Sequence, residues 1–132
     1  MLTAASRYFE RMTRGEFVRL VSDDSGKEPV LIAQRIRGAR VRVEEMSEGT
    51  LDQLYLALRL AALDVRRSAG VDLPVVLDDV LMTSDEDRSG AMLEALAQFA
   101  HENQVIVFTH HRHIVDVAVD SVPAEKLVLV TL

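Results

Sequence analysis

The chain has 132 residues, 48% of them hydrophobic and 27% charged, with a formal net charge of −6 and no cysteine. That length suits one core rather than two, and the composition is that of a globular chain, not a disordered one. The acidic balance argues against a free-standing nucleic-acid binder, which neutralises phosphates with basic residues, and the missing thiols exclude a disulfide framework or a thiolate metal site. Leu2, Ala5, Tyr8, Phe9 and Met12 recur at helical spacing and predict a helix over 2–13 that ends before Gly15. Strands are expected over 16–21, 29–34 and 39–45, punctuated by the turn-rich stretch 22–27 and by Gly38, as a small antiparallel set.

The period changes at Thr50. Leu51, Leu54, Leu58, Ala61 and Val65 fall on one helical face, Thr50 and Gln53 have the spacing of a capping box, and the helix is expected to run to about Ser68 before Gly70. Residues 74–77 are apolar and valine-rich, as in a strand buried on both faces of a parallel sheet. A second helix is expected over 85–102, carrying Met92, Leu93, Leu96, Phe99 and Ala100. A second buried strand is expected over 104–109, a short helix over 114–119 and a last strand over 126–132. This alternation predicts an α/β layer with parallel strands. The N-terminus has no apolar signal region, and no apolar run approaches the roughly 18 residues of a membrane span, so the expectation is no membrane and a cytoplasmic address.

Three segments carry candidate chemistry. In Met46-Ser47-Glu48-Gly49-Thr50 a Ser-x-Gly turn feeds a helix whose first N–H groups and positive dipole end suit an anion; the same residues also serve simply to start a helix. Asp78 and Asp79 follow a buried strand, where ligands bind in open α/β sheets. Such a pair can serve magnesium and orient water, or be a solvated turn. His110 follows the second buried strand, where an imidazole can bond a phosphate or an attacking water, or be structural; His111 and His113 read mostly as surface neighbours.

Taken in order, these segments resemble the ABC ATPase family, in the YhaN-like, SbcC-like and RecF-like branch that includes SMC heads. Over residues 40–115, MSEGTLDQLYLALRLA resembles the signature motif and its helix, VVLDD the Walker B strand, Met82-Thr83-Ser84-Asp85 the D-loop, and VIVFTHH the strand leading to the switch histidine. The resemblance implies an α/β fold: the C-terminal half of a P-loop NTPase head, a mostly parallel sheet flanked by helices with a small antiparallel N-terminal part. It further implies one domain over 1–132, with 1–45 as the return from a coiled coil plus antiparallel strands and 46–132 as the motif-bearing region.

Carried to matching positions, the resemblance implies ATP and Mg2+ as cofactors. Ser47, Gly49 and Thr50 would face the γ-phosphate held by an opposite subunit. Asp78 would serve magnesium, Asp79 would polarise water, Asp85 would link two sites across a dimer, and His110 would sense the γ-phosphate. Met46 stands where Leu is usual, Glu48 where Gly or a basic residue is common, and Asp79 where Glu is general. No G-x-x-x-x-G-K-[ST] sequence occurs in the chain, so the cradle for the β- and γ-phosphates is expected from an N-terminal Walker A lobe.

The expected function is therefore half of a head that hydrolyses ATP only when completed and dimerised head to head, in DNA repair or chromosome maintenance. DNA would be met only through the full assembly, and the chain alone is expected to be inactive and to self-associate through uncovered sheet. Two alternatives are a non-catalytic regulatory module derived from such a head and a metal-dependent hydrolase built from Asp78, Asp79, Asp85 or Asp87 with His110, His111 and His113.

Overall fold

The computed structural model describes residues 1–81 and 85–132, which form two compact units, Met1–Val71 and Asp72–Leu132. The boundary thus follows the expected signature helix, whereas the division expected from sequence precedes it at 45/46. Met82, Thr83 and Ser84, three of the four expected D-loop residues, lie outside the described residues.

The first unit contains α1 (Leu2–Met12), β1 (Phe17–Asp23), β2 (Val30–Arg35), β3 (Arg40–Arg42), a single 3-10 turn over Val43–Glu45, and α2 (Glu48–Ser68). The strands form an antiparallel sheet in the order β1-β2-β3. The helix α1 packs on β1 and α2. Its end follows from local chemistry: Arg14 and Gly15 adopt positive φ, which glycine accepts without steric cost, and the Gly15 N–H bonds back to the Glu10 carbonyl.

Aromatic packing joins α1 to β1, with the Phe9 and Phe17 rings stacked at 5.1 Å and the Arg35 guanidinium 5.0 Å above Phe17. Polar groups complete that junction. The buried Ser6 hydroxyl donates to the Leu2 carbonyl at 2.7 Å and accepts from the Leu20 N–H at 2.9 Å, so a helix serine holds a strand. Gln53 is buried on α2 and donates to the Met12 carbonyl. The expected capping box is therefore corrected: Ser47 is the N-cap, its side chain accepts from the Thr50 N–H, and Gln53 caps the end of α1 instead. The expected face of α2 is also rotated. Leu54, Leu56, Ala57, Leu60 and Ala61 are buried while Val65 is exposed, because α1 covers the stripe that includes Gln53.

Tyr8 donates to Asp64 at 2.6 Å, tying α1 to α2. Burial first, and then that hydrogen bond, push the Tyr8 phenol well above its ordinary value of 10.0. The folded chain thus holds the proton more tightly than the unfolded one. Its stabilisation is complete below about pH 10 and is lost as pH rises through the higher folded value. Tyr8→Phe is expected to cost about 1 kcal/mol at neutral pH. In urea melts, the gap between parent and variant should narrow above about pH 10; a constant gap would show that the hydrogen-bonded phenol is not its source.

The second unit contains β4 (Val75–Asp78), α3 (Glu86–Phe99), β5 (Val105–Phe108) and α4 (Arg112–Ser121), followed by a 3-10 turn over Ala124–Lys126. The strands β4 and β5 are parallel and in register from Val75↔Val105 to Asp78↔Phe108. The fold class is α/β as expected, with an antiparallel and a parallel layer. Several strand expectations change: residues 43–45, expected to end a strand, form the 3-10 turn, and the second expected buried strand, β5, is only half-buried with Phe108 exposed. The strand β4 is buried on one face only, since Val75 and Leu77 are buried while Val76 is 56% exposed. Residues 127–132 form no strand, and Val128 and Val130 are exposed. A β-run needs a neighbour to take its N–H and C=O groups, and among the described residues this one has none.

The helices α3 and α4 approach closely at Gly90, where an added Cβ would lie 2.9 Å from Ser121 Oγ and 3.8 Å from Val117 Cγ1. Alanine there displaces only a hydroxyl, but a branched chain cannot fit. Gly90→Leu is expected to destabilise by about 1–3 kcal/mol in denaturant melts, and an unchanged midpoint would show that the helices separate freely. Among the described residues no helix is long and apolar enough to cross a membrane.

Candidate functional site

Parallel pairing in register makes β4 and β5 end together, so the residues that follow them emerge at one sheet edge. On β4 the alternation that buries Leu77 leaves Asp78 exposed, on the same face as Val76 and Phe108. Asp79 then leaves the strand in the left-handed region at φ +51, a conformation aspartate tolerates better than most residues. Its N–H donates to the Phe108 carbonyl at 2.9 Å, which pins the turn against β5. The turn brings Asp79 Oδ2 to 2.8 Å from His110 Nδ1. The imidazole is 72% exposed and the carboxylate 25% exposed, so the pair lies at the rim of the unit rather than in its core.

The next residue joins the group. The His111 N–H donates to Thr109 Oγ1 at 3.1 Å, and His111 is the N-cap residue of α4. Its ring lies 4.1 Å from that of His110, tilted by 35°. Asp79 Oδ1 and His111 Nε2 are both shielded from solvent and have no hydrogen-bond partner among the described residues. His113 is exposed and outside this cluster. Of the residues that the sequence offers for a metal-dependent hydrolase, the structure groups Asp79, His110 and His111, whereas in the ATPase reading His111 is a surface neighbour.

The other expected site residues sit elsewhere. Asp85 caps α3, accepting from the Arg88 N–H at 2.8 Å, and its other oxygen is 3.4 Å from Arg88 Nε. In the first unit Ser47 is exposed at the start of α2, its hydroxyl shared with Thr50 Oγ1 at 2.8 Å. Thr50 is buried, and its hydroxyl is bonded to that of Ser47. The N–H groups of Glu48 and Gly49 stand in the first turn, where the helix offers no acceptor. Glu48 is exposed, the placement its carboxylate needs if phosphate is to approach that turn.

No family model matches the chain. Over 120 residues, 88% of its length, it is 32% identical to the uncharacterized protein YhaN of Bacillus subtilis, and it spans 12% of that protein. Among solved structures it is similar to the SMC head domain of Thermotoga maritima, with a TM-score of 0.64 and 18% identity, covering 89% of this chain and 40% of that one. A Pyrococcus furiosus Smc head with an extended coiled coil, bound to the C-terminal domain of ScpA, also gives 0.64 and 18%, covering 89% and 29%. A structure from work on ATP-driven dimerization and DNA-stimulated activation of SMC ATPases gives 0.63 and 20%, covering 89% and 73%. In fold the chain is the C-terminal lobe of an SMC/YhaN-like ATPase head, and in sequence it is a relative of the matching segment of YhaN.

Proposed function

We propose that this lobe supplies the signature, Walker B and switch-histidine side of an ATP hydrolysis site that a Walker A lobe and head-to-head dimerisation complete. The observation that carries the reading is the Asp79–His110 pair at the common end of two parallel strands. In this reading Asp79 polarises the attacking water. His110 is held by its Nδ1–H···Oδ2 bond, and its other ring nitrogen serves the γ-phosphate or the water. Ser47, Gly49 and Thr50 form the turn offered to the phosphate of the opposite subunit, with the first-turn N–H groups as donors. Asp85 is the residue of the D-loop that reaches the dimer partner.

Asp78 is an exposed carboxylate at the strand end, a hard oxygen donor that fits magnesium. Magnesium supplies neutralisation of the phosphate oxygens when bound. The exposed Val76, Phe108, Val128 and Val130 support a covering lobe, since such surface is costly to leave in water. By analogy with the SMC ATPases of the similar structure that comes from work on ATP-driven dimerization and DNA-stimulated activation, we assign the assembled protein to ATP-driven chromosome maintenance or DNA repair in the cytoplasm.

The test is steady-state Mg-ATP hydrolysis by the chain alone and after co-expression with a lobe carrying a G-x-x-x-x-G-K-[ST] loop. Turnover is expected only in the combined sample. Turnover by the chain alone that Asp79→Asn removes would overturn the half-site reading. A stable combined complex without turnover would favour the non-catalytic module, a reading to which the local capping role of Asp85 lends support.

A further inference from the structure

The group formed by Asp79, His110 and His111 has a donor set that magnesium chemistry does not use. One ligand atom from each residue lies within 4.8 Å of the other two. Two are imidazoles, which suit zinc and its neighbours, whereas magnesium takes oxygen. Two of the polar atoms, Asp79 Oδ1 and His111 Nε2, are shielded without a partner among the described residues, a state that costs free energy unless something binds there. From these observations we propose that Asp79, His110 and His111 bind a zinc-class divalent ion, with three protein ligands and one open position for water or an anion.

The geometry requires little movement. Tetrahedral zinc with bonds of about 2.0–2.1 Å separates its ligand atoms by about 3.3 Å. Asp79 Oδ2 and His110 Nδ1 start at 2.8 Å, and the group as a whole must contract from within 4.8 Å. The parallel strands hold the backbone at Asp79, and the Thr109 hydroxyl holds it at His111, so side-chain rotation alone must close the site. Zinc binding would use the donors that otherwise make the Asp79–His110 hydrogen bond. Zinc here and the hydrolytic reading compete for Asp79 and His110, and metal uptake read without nucleotide tests the zinc site by itself.

The experiment is titration of the purified chain with ZnCl2 by calorimetry and with CoCl2 by visible absorption, no nucleotide being present. One equivalent of zinc is expected to bind, and cobalt to give the intense d–d bands of a tetrahedral site. His111→Ala should weaken zinc by more than the roughly 10–100-fold that even outer-shell changes cost. His113→Ala, outside the cluster, should bind as the parent does. Circular dichroism of both variants checks that the fold persists. Equal binding by parent and His111→Ala would overturn the proposal, as would loss in His113→Ala of the same size. If His111→Ala fails to fold, the cobalt spectrum of the parent decides: no tetrahedral bands at one equivalent means no such site.

Discussion

Replacing Asp79 with Asn in the completed head should lower ATP turnover by about 10²-fold or more, the usual contribution of a positioned base. The change keeps the size and the hydrogen-bonding shape, so the left-handed turn at φ +51 survives, since Asn visits that region as readily as Asp. What it removes is the carboxylate charge and one of the two acceptor oxygens, so the remaining oxygen serves either His110 Nδ1 or the water but not both. An amide rotated to offer nitrogen would face a donor with a donor. His110→Ala should also reduce turnover, and the double variant should lose less than the product of the two single losses, because the residues act as a pair. Single-turnover measurements with bound ATP separate this from a binding defect. Full turnover in Asp79→Asn would remove Asp79 from the chemistry and return it to a structural turn.

The largest effect on stability is expected at Phe9. It is 0% exposed and stacks on Phe17, whose ring lies under Arg35. Phe9→Ala would take apolar area from the seam where α1 meets β1 and leave a cavity the neighbours cannot fill without moving a helix. The expected cost is about 3–5 kcal/mol, a large fraction of the roughly 5–15 kcal/mol that holds a domain folded. Urea unfolding followed by circular dichroism measures it. Phe9→Leu, which refills most of the volume, should recover a large part of the loss. If Phe9→Ala cost under about 1 kcal/mol, the seam would be collapsible and α1 would not be held by this contact.

Two exposed apolar residues of the second unit, Val76 and Phe108, share a face with the carboxylate of Asp78. Val76, Asp78 and Phe108 point the same way because β4 and β5 share a register. A lobe that covers this face would therefore bury Val76 and Phe108 while enclosing the strand ends. In that arrangement burial and chemistry are coupled.

Much of this was legible in the chain itself. Among the described residues, periodicity located the α-helices and the strands within a few residues, since the stripe Leu2–Met12 and the runs Val75–Asp78 and Val105–Phe108 are strong local signals, but it missed the 3-10 turns. The order signature, strand with acidic pair, strand with histidine also pointed to the fold and to Asp79 and His110. Local pattern could not decide which face of α2 is covered, because that depends on where α1 lands and on Gln53 reaching the Met12 carbonyl. Nor could it decide residues 127–132, whose β-pattern becomes a strand only beside a neighbour able to bond it. His111 joined Asp79 and His110 only through the parallel register and the turn at Asp79, which bring together residues more than thirty positions apart. Composition and period are properties of neighbours in sequence and fix elements; a site is a property of neighbours in space, and only the packing of β4 against β5 determined this one.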